Sequence, residues 1–537
     1  MKNISPSYVE PKILKQWLHD GNELALLDVR EHGQYGEEHL FYVVSVPYSR
    51  LEIEVKRLVP RKTVRMVLIG DDDGHISLKA IKRLTALGYT NMYVLKGGMP
   101  SWKSEGYEVF AGVNLPSKAF GELAEHAFDT PRISAQELNK KIKNKENLIV
   151  LDGRPFSEFK KMSIPTAMCC PNGELPLRID DIVTDPETTI VINCAGRTRS
   201  IIGAQTLINL GIRNEVLALE NGTQGWYLED LKLEHGQTQR HPLNIKHDAL
   251  EHRQRRAREL AEKHNVKFVN RSTVQQWQND EQRSVFICDV RTPEEYAQGS
   301  VQGAQLCPGG QLVQATDQYV GIKGARLVLV DSEGVRAPAM ASWLAMLGWD
   351  VAVWEKAFET TDAKPTTPQE QHAEDIKQAT GVQTLQISVQ EMPALLREGA
   401  VLIDLRPSMQ YRKSHIKSAI WSIRPKLVEL SSKFQTQTVI LIAEDRELAQ
   451  IAAIDIKELG ADKIFINTQE EKNWSMAALE IETTPQNPRD DKCIDYLFFV
   501  HDRHDGNKAA ARQYLAWEIN LLAQIDDQER AAFRLPH

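Results

Sequence analysis

The sequence predicts an α/β chain of four similar domains in tandem, each a mostly parallel sheet covered by helices on both faces. Three observations predict it. An apolar strand ending in Asp-x-Arg occurs four times, as Leu26-Leu27-Asp28-Val29-Arg30, Val150-Leu151-Asp152-Gly153-Arg154, Ile287-Cys288-Asp289-Val290-Arg291 and Ile403-Asp404-Leu405-Arg406. About forty residues after each comes a second apolar strand, followed by a helix that ends near a glycine. The steps from Asp28 to Asp152 (124 residues), to Asp289 (137) and to Asp404 (115) have the size of a small domain rather than of a solenoid unit.

A short helical pattern precedes each Asp-x-Arg strand. In Ser134-Ala135-Gln136-Glu137-Leu138-Asn139-Lys140-Lys141-Ile142, Ser134 and Glu137 are spaced as a capping box. The second strands are Met66-Val67-Leu68-Ile69, Thr189-Ile190-Val191-Ile192, Leu327-Val328-Leu329-Val330 and Val439-Ile440-Leu441-Ile442, and the helix-ending glycines are Gly88, Gly211, Gly348 and Gly460. Further short apolar segments follow, such as Tyr93-Val94-Leu95 and Val216-Leu217-Ala218-Leu219. Strands alternating with helices imply a parallel sheet buried on both sides. The expected divisions are domains at 1–110, 130–235, 268–360 and 384–483, a helical linker at 236–267, a linker rich in Thr, Pro, Gln and charge at 361–383, and a C-terminal extension at 484–537.

At 537 residues, with 42% hydrophobic and 26% charged residues, the composition is that of a globular protein of several domains. A formal net charge of −8 argues against a surface made for nucleic acid or an anionic membrane. No apolar run reaches the ~20 residues that span a bilayer, and Met1-Lys2-Asn3-Ile4-Ser5-Pro6 lacks the apolar core of a signal peptide, so a cytoplasmic location is expected. Six unevenly placed cysteines suit reduced thiols rather than a disulfide framework. The absence of paired Cys-x-x-Cys or His spacings predicts no zinc, and no cofactor is expected.

In open parallel sheets ligands gather beyond the carboxyl ends of the strands. Counting back 17 residues from each helix-ending glycine lands on Asp71, Cys194, Asp331 and Ala443, so only the second repeat has a nucleophile in the loop after its second strand. The candidate site is Cys194 with Ala195, Gly196, Arg197, Thr198, Arg199 and Ser200. A cysteine opening a loop of inward-facing N–H groups at a helix N-terminus has its thiolate favoured by those dipoles. Arg197 and Arg199 are expected to add positive charge and to hold an anionic sulfur donor, with no separate general base. The bland alternatives are a cysteine that fills the strand end, solvated loop arginines, and a Ser200 that caps the helix rather than touching sulfur.

The four Asp-x-Arg strands, the loop Cys194-Ala195-Gly196-Arg197-Thr198-Arg199 and the closing Asn221-Gly222-Thr223-Gln224-Gly225-Trp226, echoed by Gly97-Gly98-Met99-Pro100-Ser101-Trp102, carry a resemblance across nearly all of 1–483. The chain resembles the rhodanese homology family, in particular proteins with four tandem rhodanese-like domains of which only the second has an active cysteine. The resemblance implies a sulfurtransferase in which a sulfane sulfur from thiosulfate or a persulfide rests on Cys194 and passes to a thiol, cyanide or a partner protein. Asp152 and Arg154 are expected to hold the domain together. Where many members have Gly-His-Ile, the second repeat has Met162-Ser163-Ile164, while His415 keeps the histidine in the fourth.

Other candidates have plainer readings. Cys288 is expected in the core, and Cys170 either in a turn or as a resolving thiol, matched by Cys307 in the third repeat. His501-Asp502-Arg503-His504-Asp505-Gly506 reads as a helix-capping loop, and Arg253-Gln254-Arg255-Arg256-Ala257-Arg258, interspersed with Glu251, Glu259 and Glu262, as a solvated linker helix. Two competing functions remain open: a non-enzymatic scaffold of recognition modules, and a cysteine phosphatase or arsenate reductase. The latter expects an arginine six places after the cysteine, where Ser200 stands.

Overall fold

The computed structural model of the chain describes residues 6–71, 74–246, 249–359, 382, 384–501 and 507–536. The 361–383 linker, apart from residue 382, and positions 502–506 of the polar loop lie outside them.

Each repeat forms a five-stranded sheet in the chain order first, fifth, fourth, second, third. In the second repeat these strands are Arg132–Ile133, Val216–Leu219, Thr189–Asn193, Leu148–Asp152 and Met168–Cys169, all paired in parallel. Alternate residues of the central strands face opposite sides. Val150 and Val191 join Leu138, Phe159 and Trp226 in one core, and Leu151, Ile190 and Ile192 join Leu175, Ile179, Ala204 and Leu207 in the other. Burial on both faces is why these strands read as unbroken apolar runs. Gly88, Gly211, Gly348 and Gly460 all have positive φ, so each helix ends where only a residue free of Cβ strain turns cheaply. The Ser134–Glu137 capping box forms as spaced.

The Asp-x-Arg pairs act as staples within each domain. Asp152 and Arg154 are buried, the guanidinium donating to both carboxylate oxygens (2.8 and 2.7 Å) and to the Met162 carbonyl eight residues on (2.7 Å). The same arginine reaches Glu38 O in the first repeat, Gly299 O in the third and Ser414 O in the fourth. Each pair thereby ties the strand end to the exit of the following helix.

The chain divides into two compact units, one holding repeats one and four, the other repeats two and three with the helices Leu115–Phe128, Leu250–Lys263 and Lys508–Gln524. Equivalent loops after the third strand make both pairings. In the first unit Arg424 donates to Glu52 (2.8 Å) and Asp455 (3.0 Å), and Tyr48 Oη donates to Asp455 (3.1 Å). In the second, Gly173 lies against Gly309 and Gly310 so closely that a Cβ at 173 would stand 2.7 Å from Gly310 N. Arg336, fully buried, crosses that interface to Glu174 (2.9 Å), and Trp343 Nε1 donates to Thr206 Oγ1 (2.8 Å).

The basic stretch is a correction. The helix Leu250–Lys263 is docked rather than solvated, with Arg253 1% exposed and donating to Asp181 (2.6 Å), Asp180 (3.1 Å) and Leu177 O (2.8 Å). Arg256 also reaches Asp180, and Arg258 reaches Glu355. Those carboxylates are distant in sequence, so helical charge spacing alone misread the face. The C-terminal extension is divided between the units: in the first, Ile494 O accepts from Gly33 N and Asp495 from Ser408 N, and in the second the helix Lys508–Gln524 packs on the helices Leu115–Phe128 and Gly222–Leu228.

Candidate active site

The strand Thr189–Asn193 ends with Asn193 buried and its amide donating to Asp152 (2.9 Å), so the Asp-Arg staple also anchors the start of the Cys194 loop. Cys194 follows, 2% exposed, and the helix Thr198–Asn209 begins four residues later without a side-chain cap. Ser200 Oγ donates to Cys194 Sγ at 3.0 Å, which realises the sulfur contact rather than the cap.

The closing motif holds the loop from the other side. Asn221 and Gly222 both take left-handed backbone (φ 57° and 53°), which turns Thr223 N onto Cys194 O (2.8 Å) and Gln224 N onto Ala195 O (3.1 Å). A Cβ at 222 would stand 2.2 Å from Cys194 O, so glycine is required there. Gly222→Ala is expected to cost about 2 kcal/mol or more through left-handed strain and backbone overlap. Faster hydrogen exchange at Thr223 N and Gln224 N checks it.

The equivalent loops show what this cradle accepts. In the third repeat Asp331 takes the place of Cys194, and its carboxylate accepts from Val335 N and Arg336 N (both 2.9 Å). In the first, the strand register places Gly70 rather than Asp71 at the position of Cys194, because the stretch from strand end to helix-ending glycine is one residue longer there, and Asp71 accepts from Ile76 N (3.0 Å). The Asp331 carboxylate thus meets two donors at the helix N-terminus, although burial pushes its pKa up to about 6. The second repeat puts a sulfur at that position instead.

The two loop arginines are engaged rather than free. Arg197 forms a bidentate pair with Glu122 (2.8 and 2.9 Å) and also meets Glu125, both on the helix Leu115–Phe128. Arg199 pairs with Glu158 (2.8 and 2.9 Å). Burial opposes the charge on both, and the carboxylates overcome it, holding each guanidinium above its ordinary range. Thr198 Oγ1 points away to Glu518 (3.3 Å) on the C-terminal helix.

Glu122, Glu125, Glu158 and Glu518 are therefore site neighbours that sequence reasoning missed. Glu122 and Glu125, three apart on a largely buried helix, were the one available signal.

The Cys170 loop does reach the site, but through Asn172, whose amide donates to Arg199 O (2.8 Å). Cys170 packs in the core with Leu151 and Ile192, and burial pushes its thiol well above the usual range, so it is not placed as a resolving thiol. Cys288 and Cys307 are also fully buried. Ser163 is buried where the first and fourth repeats have histidine: His415 stacks on Tyr411 (ring centroids 3.7 Å apart), as His39 does on Tyr35. Among the described residues no group of three or more His, Cys, Asp or Glu side chains is placed to hold a metal ion, and no helix is long and apolar enough to cross a membrane.

Comparison with known proteins agrees with this anatomy. A family model described as a rhodanese-like domain matches residues 10–105, 134–229, 271–363 and 388–477. The crystal structure of thiosulfate sulfurtransferase from Pseudomonas aeruginosa is 35% identical, covers 99% of both chains and superposes with a TM-score of 0.88. A candidate sulfur carrier protein of Bacillus subtilis, YrkF, is 28% identical over 141 residues, 24% of this chain and 72% of its own length. An uncharacterized protein of Buchnera aphidicola is 31% identical over 81 residues, 15% of this chain and 54% of its own. With four matched domains spanning most of its length, the chain belongs to the rhodanese-like family.

Proposed function

We propose that this chain is a sulfurtransferase working through a persulfide on Cys194. One observation carries the reading: Cys194 stands at the loop position where the third repeat rests the carboxylate of Asp331 on two N–H groups of the helix start. A cradle that accepts a carboxylate suits a thiolate, and after sulfur transfer a persulfide anion.

In the first step the Cys194 thiolate attacks the outer sulfur of a donor. With thiosulfate the S–S bond breaks, sulfite leaves with the electron pair, and Cys194 holds the persulfide. In the second step a thiolate attacks that outer sulfur, the bond to Sγ breaks, and Cys194 returns to thiolate, giving a ping-pong cycle. Ser200 stabilises the sulfur anion through its hydroxyl, and Ala195, Gly196 and the first turn of the helix line the donor. Because Arg197 and Arg199 are already paired, the main-chain N–H groups bear most of the donor's charge. The three other repeats serve as packing partners, and the six free cysteines suit a reducing, cytoplasmic setting.

The test is steady-state release of thiocyanate from thiosulfate and cyanide, repeated with a small persulfide as donor. Parallel lines in double-reciprocal plots are expected; a protein inert to every sulfane donor sinks the reading.

A further inference from the structure

We infer that the thiol relieving Cys194 of its sulfur carries a cationic group, as an aminothiol does, and that Glu518 with Gln224 receives that group. The inference rests on the sulfurtransferase reading and names its acceptor class.

Glu518 lies on the inner face of the helix Lys508–Gln524 and is 3% exposed. Its Oε1 accepts from Lys118 Nζ and Thr198 Oγ1, both at 3.3 Å, while its buried Oε2 has no hydrogen-bond partner. Gln224, 5% exposed, leaves both amide atoms unpartnered, although its backbone N–H holds the Cys194 loop. The two side chains converge on Gly196: a Cβ there would stand 3.2 Å from Glu518 Oε2 and 3.6 Å from Gln224 Nε2, with Leu515 at 4.0 Å. Buried polar atoms are nearly always satisfied, so unpartnered ones gathered two residues from a nucleophile mark groups that a substrate completes.

Charge then selects the substrate. Bonded to the loop and its cap are three cations, Lys118, Arg197 and Arg199, and four carboxylates, Glu122, Glu125, Glu158 and Glu518. Each of those cations already has a carboxylate partner, so an anionic acceptor gains no new side-chain ion pair. A cationic acceptor meets Glu518 Oε2, with the Gln224 carbonyl as a second acceptor. Cys194 is 2% exposed, and the helix Lys508–Gln524 lies against Gly196 and Thr198 beside it, so a thiol that enters from that side meets these groups.

The transfer balances without an oxidant. The acceptor thiolate bonds to the outer sulfur of the Cys194 persulfide, the bond to Sγ breaks, and its electron pair stays on Cys194 as the thiolate. The outer sulfur leaves as the acceptor's persulfide.

The experiment uses the full chain loaded with sulfur from thiosulfate or inorganic polysulfide, with loading read by intact mass. Unloading rates are measured at one pH for cysteamine, 2-mercaptoethanol and mercaptoacetate, which differ in their terminal group, each divided by its rate with a small persulfide in solution. The wild type is expected to favour cysteamine over 2-mercaptoethanol by about tenfold or more, with mercaptoacetate slowest. Glu518→Gln is expected to erase most of that preference while still loading. Equal normalised rates in the wild type overturn the inference even if the variant fails to fold. A variant that slows all three thiols alike assigns Glu518 a structural role and also overturns it. A chain that loads from no donor overturns the sulfurtransferase reading and this one together.

Discussion

Cys194→Ser is expected to lose sulfur transfer by roughly a thousandfold or more, the scale seen when a covalent nucleophile is removed from an otherwise intact site. The substitution is nearly isosteric, and the contacts that shape the loop come from elsewhere. Thr223 N and Gln224 N hold its backbone, Asn193 anchors its start, and the three other loops fold with no sulfur at this position. Folding should therefore be retained. Loss of activity with unchanged thermal stability separates a nucleophile from a core cysteine, since a cysteine that merely filled the strand end would tolerate serine in activity and not in stability. Burial disfavours the thiolates nearest in sequence: it pushes the Cys170 thiol, packed with Ile192 and Leu207, well above the usual range, and Cys169 up to about 12.

Arg154→Met should have the largest effect on stability. It leaves Asp152 in the interior without its counter-charge and strips the Met162 carbonyl of its donor, a loss of about 3–5 kcal/mol for a broken buried pair. Because the chain has several domains, the loss should be read locally, as faster hydrogen exchange in the strand Leu148–Asp152. Adding Asp152→Leu should recover much of it, because two apolar groups leave no uncompensated charge. A small effect of Arg154→Met alone contradicts the staple. Asp152 also accepts from Asn193, so a loosened staple should reach the Cys194 loop and lower transfer as well.

How much was legible in the sequence followed the range of each interaction. The buried strands announced themselves as apolar runs, and the helix ends showed as Gly88, Gly211, Gly348 and Gly460 because left-handed backbone selects glycine. Cys194 was visible because four aligned loops could be compared, and the closing Asn221-Gly222 because its turn is local. The electrostatics were misjudged. Arg197 and Arg199 looked like free positive charge, but Glu122 is 75 residues from Arg197 and Glu158 is 41 from Arg199. Glu518 reaches Thr198 across 320 residues. Arg253 was read as solvated for the same reason, its partners Asp180 and Asp181 being about seventy positions away. The pairing of repeat one with four is longer still, since Arg424 meets Glu52 across 372 residues. Local pattern predicts strands, turns and caps; it does not predict which charged face will find a partner.

The central claim is that sulfur rests on Cys194 alone, and peptide-mapped intact mass after exposure to thiosulfate or a small persulfide tests it most directly. One added sulfur atom, removed by thiols, confined to the peptide bearing Cys194 and missing from Cys194→Ser, is the predicted result. An unmodified chain, or sulfur added to Cys169, Cys170, Cys288, Cys307 or Cys493 and unaffected by Cys194→Ser, would contradict it.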